Sequence, residues 1–473
     1  MKTTLLYMVS LLISAQSSSK IDFTLADPQP EILTVYGGSL LSGDLDDDGD
    51  IDLIQTGIGT NLQGKSARAT VFLNDGMGSF TEKKQSILSG SSVENMVLKD
   101  LDNDNDLDVI ISTITRTDFY RNDGKANFTL DTLSSFKPSY AGELMADDVD
   151  GDGDFDILHF GQKDRKLEAF VALYLNDGKG FFTQAQNSVF IPLYLAKIEL
   201  IDLEGDGDKD VLSFGRNDQG EPKVALYKNE GSGNYSVQTT SNIGPFSADE
   251  ISVGDVDKDG DEDFLITGTD SIAKTILYLN DGKGQFSELL NTPFPNVSSS
   301  SNGFADLDND NDLDLVIIGS MTGGIPNIHS IVFENLGDNK FVAVDSLIGE
   351  YITTHTIADF NGDGAQDIII QGIRKNTNVY WGLDNRITNL ALSEKFNEAS
   401  WSNLGSGQFN IKHGITHATN LEVYSLKGRL IEELELFGAG KVSLDLGSYP
   451  KGIYLVKIFN SEKETSILQV FKK

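Results

Sequence analysis

The residues of this chain that could do chemistry sit in seven short acidic stretches. The fifth shows the pattern: Asp255, Asp257, Asp259, Asp261 and Asp263 stand at positions 1, 3, 5, 7 and 9, with Gly260 at position 6. Oxygen ligands at alternate residues can curl round one hard cation. The glycine permits the sharp turn, and position 7 can add its backbone carbonyl. Calcium takes about six to eight oxygens, so one such loop nearly fills its shell. The pattern repeats as Asp44, Asp46, Asp48, Asp50, Asp52; as Asp100, Asp102, Asp104, Asp106, Asp108; and as Asp148, Asp150, Asp152, Asp154, Asp156. It returns as Asp202, Glu204, Asp206, Asp208, Asp210 and as Asp306, Asp308, Asp310, Asp312, Asp314. The seventh copy keeps Asp359, Asn361, Asp363 and Asp367, with Ala365 at position 7. Asn105 and Asn311 replace the glycine in copies two and six, and asparagine tolerates the same turn. A helix-flanked calcium hand would need a bidentate Glu at position 12. Here a β-type run such as Phe264-Leu265-Ile266-Thr267 follows at once, so the expectation is a strand–loop–strand turn with up to seven Ca2+ sites.

These loops must be held by a repeated element. They recur at intervals of 48 to 56 residues. A second motif follows six of them: Asn74-Asp75-Gly76, Asn122-Asp123-Gly124, Asn176-Asp177-Gly178, Asn229-Glu230-Gly231, Asn280-Asp281-Gly282 and Asn335-Leu336-Gly337, each followed by an aromatic. The motif reads as a tight hairpin turn in which Asn and Gly accept positive φ. In the fifth repeat, strand a near Glu250–Val253 leads into the loop, and strands b at Phe264–Thr267, c at Thr275–Leu279 and d from Phe286 follow. Four antiparallel strands per period, seven times over, predict a β-propeller. The seventh repeat lacks the turn and its aromatic. Ile21-Asp22-Phe23-Thr24 matches Phe80-Thr81 and Phe182-Thr183, so the N-terminal piece is expected to supply the last blade's outer strand and close the ring.

The up-down order puts the acidic loops and the Asn-Asp-Gly turns on one face. The opposite face carries unlike segments, 57–69, 162–168, 217–223 and 319–329, where recognition is expected. Its connectors hold Phe136, Tyr140, Phe190, Tyr194, Phe246 and Phe294. They either stack on sugar rings or pack between blades, and their exposure decides which.

The net charge is −35, from 37 basic and 72 acidic residues. Much of the excess lies in the loops, and the balance argues against nucleic acid and anionic membrane as partners. There is no cysteine, so disulfide, zinc-thiolate and thiol chemistry are excluded. Lys2, the apolar run Leu5–Ile13 and Ser14-Ala15-Gln16 read as a secretory signal over 1–16. No later stretch approaches the roughly 18 apolar residues of a membrane span.

The loop Gly254–Asp263 with its following β-run resembles the FG-GAP repeat, also called the VCBS repeat, over residues 17–383. The resemblance implies a seven-bladed propeller like that of integrin α subunits, with calcium in the loops of one face. Its members include adhesins, lectin-like modules and some polysaccharide-active enzymes. The tail resembles the C-terminal sorting domain of the type IX secretion system, a small β-sandwich. The resemblance rests on Asn420–Leu430, Leu444-Asp445-Leu446 and Gly452-Ile453-Tyr454-Leu455-Val456. It places the domain at 397–473 behind a linker at 384–396, names the type IX machinery as a partner, and implies export or attachment to the outer cell surface.

Catalytic motifs are missing. His159, His329, His355, His413 and His417 form no zinc or triad pattern, and there is no Gly-x-Ser-x-Gly or phosphate loop. Glu168, Asp218 and Glu221 lie outside the loops, but nothing singles them out as an acid–base pair. The sequence therefore reads as a calcium-binding module, not an enzyme, that binds a glycan or a surface protein. A polysaccharide-degrading enzyme and a structural subunit of a surface complex are the alternatives.

Overall fold

The computed structural model describes residues 21–382 apart from 34, 37, 60–66, 85–87, 89–94, 140–141, 164–167, 187–188, 239–241, 271, 322–327, 349–353 and 373–376, together with the strands of 400–472. The expected signal segment, the linker, Tyr140, His413 and His417 lie outside the described residues. Every regular element among the described residues is a β-strand.

Residues 23–382 form seven antiparallel sheets. The third is typical: Gly142–Asp147, Asp156–Gln162, Ala169–Leu175 and Thr183–Gln184 lie side by side in chain order. The inner strand is half-buried, the second strand is buried throughout, and the short outer strand is exposed. The second strands are buried along almost their whole length, polar residues included, because blades pack on both of their faces. In the first blade the inner strand is split into Val35–Tyr36 and Leu40–Gly43, both paired with Asp52–Gly59.

The last blade takes its outer strand from the other end of the chain. Phe23–Leu25 pairs with Asn378–Gly382 in the register Phe23↔Gly382 and Leu25↔Tyr380, as the Phe-Thr match implies. The inner strands touch one another in cyclic order, and Thr354–Ala358 of the seventh blade meets Leu40–Gly43 of the first. Adjacent blades share an apolar core. Leu144, Ile157 and Tyr174 meet Val97, Ile110 and Phe119 between blades two and three. Phe360, Ile369 and Trp381 meet Leu40, Leu53 and Phe72 between blades seven and one, which closes the ring.

The connector aromatics belong to these cores. Phe136, Phe190, Tyr194, Phe246 and Phe294 are all buried, so the sugar-stacking option is not realised at any of them. Phe136 meets Tyr174 edge-on at 4.9 Å, and the Tyr174 hydroxyl accepts the Lys137 amide at 3.0 Å. Tyr227 and Tyr380 accept the Ile191 and Ile348 amides in the same way.

In the tail, one sheet orders Ser400–Gly405, Gln408–Lys412 and Lys441–Asp445, and another orders Leu430–Glu435, Asn420–Ser425, Gly452–Phe459 and Thr465–Lys472. Phe409, Ile411 and Leu444 of the first sheet pack on Leu421, Val423, Val456 and Ile458 of the second. This is a small β-sandwich.

Candidate functional site

Each acidic loop is folded by its own backbone amides. The position-1 carboxylate accepts the amide of position 6: Gly49 to Asp44 at 2.9 Å, Asn105 to Asp100 at 2.9 Å, Gly153 to Asp148 at 2.9 Å and Gly364 to Asp359 at 2.8 Å. The position-5 carboxylate accepts the amide of position 7, as in Asp261 to Asp259 at 3.1 Å. Position 6 has positive φ in all seven loops, including 74° at Asn105 and 67° at Asn311, so both asparagines do the glycine's work. Position 4 is also left-handed, at Asp47, Asn103, Lys258 and Asn309 as well as at three glycines, which the sequence reading missed.

The side chains then converge unequally. Carboxylate oxygens of Asp44, Asp46 and Asp48, of Asp100, Asp102 and Asp108, of Asp148, Asp150 and Asp156, of Asp255, Asp257 and Asp259, and of Asp306, Asp308 and Asp314 lie within 4.8 Å of one another. Among the described residues, loops four and seven form no such triad. Asp44, Asp46, Asp102, Asp150, Asp255 and Asp257 each keep a buried oxygen with no hydrogen-bond partner. Buried carboxylate oxygens without donors are costly, and a hard cation at their meeting point would satisfy them together. The five triads therefore fit a divalent cation with oxygen ligands.

Position 9 has a second duty. Its carboxylate is buried, and its two oxygens accept one amide from loop position 2 and one from the far end of the third strand. Asp263 accepts Val256 at 3.0 Å and Asn280 at 2.8 Å, and Asp52 accepts Leu45 at 3.0 Å and Asn74 at 2.7 Å. Asp108, Asp156, Asp210, Asp314 and Asp367 do the same, the last with Phe360 and Gly382. Burial pushes Asp52, Asp108, Asp156, Asp210, Asp263 and Asp314 up to about 7, and Asp367 to about 8. These groups clamp the loop base whether or not they also reach a cation.

Position 7, expected to offer its backbone carbonyl, turns its side chain to the hairpin turn. The Asp50, Asp106, Asp154 and Asp261 carboxylates lie over the turn glycines Gly76, Gly124, Gly178 and Gly282, where a Cβ would come within 2.3–2.6 Å of a carboxylate oxygen. In loop seven the Asn361 amide donates to Asp367 at 3.1 Å instead of joining a carboxylate triad.

The turn asparagines also differ from the sequence reading. None has positive φ; the glycines carry it. Each asparagine donates instead to the preceding blade, at the carbonyl of loop position 2. Asn122 reaches Leu45 at 2.9 Å, Asn176 reaches Leu101 at 2.9 Å, Asn335 reaches Val256 at 2.8 Å, and Asn74 reaches Phe360 at 2.7 Å. Asn229 and Asn280 repeat the link to Val149 and Leu203. These bonds tie blade to blade beneath the loops.

A second site lies on the ring axis. All seven inner strands line a cavity of about 990 Å³. Five residues ahead of the second to fifth loops stand Asn95, Glu143, Lys197 and Glu250. Asn95 donates to Glu143 at 3.0 Å, and the Lys197 ammonium bridges Glu143 at 3.2 Å and Glu250 at 3.4 Å. The three ionic side chains are 14% to 28% exposed. Burial pushes Glu199 up to about 8, with Glu250 and Glu143 adding to it. Burial also pushes Glu250 up to about 7 against the pull of Lys197. Burial works against the Lys197 charge, yet Glu143 and Glu250 hold its pKa above the ordinary value. Across the channel are Ser301 and Thr354, with His355 bonded through Nδ1 to the Ser301 hydroxyl at 2.7 Å.

Inner-strand bulges at Tyr194/Lys197, Ala248/Glu250 and Ser298/Ser301 fall at the same height. Bulges re-aim side chains beside functional sites. Sequence reasoning missed this arc, although its fixed offset from the loops was a usable signal.

His159 is fully buried, packs edge-on against Phe170 at 5.0 Å, and has no partner on either ring nitrogen. Burial, with Lys137 as the facing charge, lowers its pKa to about 3. The folded state therefore refuses a proton that the unfolded state takes near pH 6.5, and stability falls as pH drops from about 6.5 towards 3. At pH 5 the loss from this residue is about 2 kcal/mol. His159→Leu is expected to narrow the drop in urea-unfolding free energy between pH 7 and pH 5 by that amount; an unchanged drop would refute the assignment.

The comparisons with known proteins agree with this architecture. The family model described as FG-GAP-like repeat matches residues 44–111, 202–266 and 255–317. The model described as secretion system C-terminal sorting domain matches residues 403–472. The chain carries FG-GAP-like repeats and a secretion sorting domain. The sorting domain marks an exported protein, secreted or attached to the cell surface, and names the type IX machinery as a partner. No curated protein sequence matches the chain.

Among solved structures, a lectin of Agrocybe aegerita that recognises non-reducing terminal N-acetylglucosamine is similar at 21% identity and a TM-score of 0.50, over 74% of this chain and 86% of that one. A lectin of Aleuria aurantia with a six-bladed propeller is similar at 8% identity and a TM-score of 0.40, over 67% and 97%. At these identities the likeness is one of fold. The FG-GAP-like ring here has seven sheets. No helix of the described residues is long and apolar enough to cross a membrane.

Proposed function

We propose that this protein is an exported, calcium-stabilised propeller that binds a glycan in its central channel. The observation that carries the reading is the polar arc Asn95–Glu143–Lys197–Glu250 in a cavity of about 990 Å³. Small-molecule pockets are mostly apolar and fill roughly 300–1,000 Å³. This one has the size but presents carboxylates, an ammonium, an amide and hydroxyls, which match the hydroxyls of a saccharide. The shared fold with the Agrocybe aegerita lectin supports the reading.

Calcium is proposed at loops one, two, three, five and six, where carboxylates converge. Its role is structural: bound, it supplies positive charge to a loop whose buried oxygens lack donors.

The test incubates the full chain, with calcium, on a panel of immobilised polysaccharides. Retention of the wild type is expected, with Lys197→Met and Asn95→Ala each weakening it about tenfold, the usual weight of one charge-assisted contact. Undiminished retention by both variants would place the ligand elsewhere, and no retention on any saccharide would end the glycan reading. The same incubation is assayed for reducing ends. Glu199 and Glu250, pushed up into the range of working acids, favour hydrolysis as the second reading. Products that disappear in Glu199→Gln would establish it.

A further inference from the structure

Loop four has every acidic position filled, yet its carboxylates do not gather into a triad. The reason lies one residue before the turn asparagine. Strand Pro222–Asn229 places Lys228 beside the loop, where its ammonium forms an ion pair with Glu204 and lies 3.8 Å from Asp206. It thus pairs with position 3, a position common to all five triads, and lies near position 5, which joins two of them. Glutamate at position 3, found in this loop alone, adds the methylene that reaches the lysine.

Loop two makes the contrast. Arg121 occupies the equivalent place and pairs with Asp102, but it is drawn outwards by Asp131 at 2.9 Å and by the Lys179 carbonyl at 2.7 Å. Asp102 keeps its other oxygen unpartnered and stays in the triad with Asp100 and Asp108. Loop four keeps one orphaned oxygen, on Glu204, just as loops two and three keep one each on Asp102 and Asp150; what it lacks is the convergence of three carboxylates. The corresponding residues of loops one, three and five are Leu73, Leu175 and Leu279, which bring no charge.

We infer that the Lys228 ammonium takes the place of calcium in loop four, so that this blade carries its own fixed cation. The inference rests on the calcium reading of the other loops. It gives the ring one blade whose position-3 carboxylate faces a fixed ammonium instead of a metal ion, and whose loop is therefore indifferent to calcium supply.

The test counts bound calcium on the full chain by native mass spectrometry, for the wild type and for Lys228→Met, Glu204→Gln and Asp257→Asn. The expected result is one added ion in Lys228→Met, no change in Glu204→Gln, and one ion lost in Asp257→Asn. A Glu204→Gln protein that loses one ion, or a Lys228→Met protein that is folded by circular dichroism and gains none, overturns the inference while leaving calcium in the other loops. No calcium on the wild type or any variant overturns the calcium reading and this inference with it.

Discussion

Excess EDTA is expected to lower the thermal midpoint of the full chain by about 9 °C relative to saturating calcium. Five loops bring three carboxylates within 4.8 Å of one another. Without a cation these charges repel, and six of the carboxylates hold buried oxygens with no donor. A site at tenfold excess over its dissociation constant contributes about 1.4 kcal/mol, so five give about 7 kcal/mol. A ring of this size gains about 0.75 kcal/mol per kelvin on unfolding, which converts that sum to about 9 °C. Scanning calorimetry with and without EDTA checks it. An unchanged midpoint would show that the loops are folded by their backbone bonds alone.

Asp263→Ala is expected to cost about 2–4 kcal/mol even in EDTA, whereas Asp257→Ala should cost under about 1 kcal/mol there. The two residues lie in one loop and the sequence assigns them one role. Asp263 accepts the Val256 and Asn280 amides in the interior, and alanine leaves both donors buried and unpaired. Relief of a buried charge, already pushed up to about 7, offsets part of the loss. Asp257 holds a buried oxygen with no hydrogen-bond donor, so under the proposed calcium binding its removal costs more in calcium than in EDTA. Urea titrations in EDTA and in calcium separate the roles. Equal losses for both variants in EDTA would refute the division into clamp and ligand.

Periodic features were legible in the sequence. Seven acidic loops at one spacing gave the number of sheets, and a Phe-Thr pair out of place gave the strand that joins the two ends. Repeats announce themselves because every copy solves the same packing problem. Roles that depend on a neighbouring blade were hidden. Asn176 looks like a turn residue until Leu101 of the preceding blade is seen to accept its amide. Lys228 looks like a surface lysine until Glu204 is beside it. The channel arc draws one residue from each of four blades, so no local window contains it. The connector aromatics were ambiguous because the same residue types serve stacking platforms and blade cores; burial decides for the cores.

The channel is tested most directly by a crystal structure of the full chain, with calcium, soaked in the saccharide retained best on the panel. The expected result is sugar density on the ring axis, with hydroxyls hydrogen-bonded to Glu143, Lys197 or Glu250. Density on the outer strands or between blades, with the axis holding only water, would contradict it.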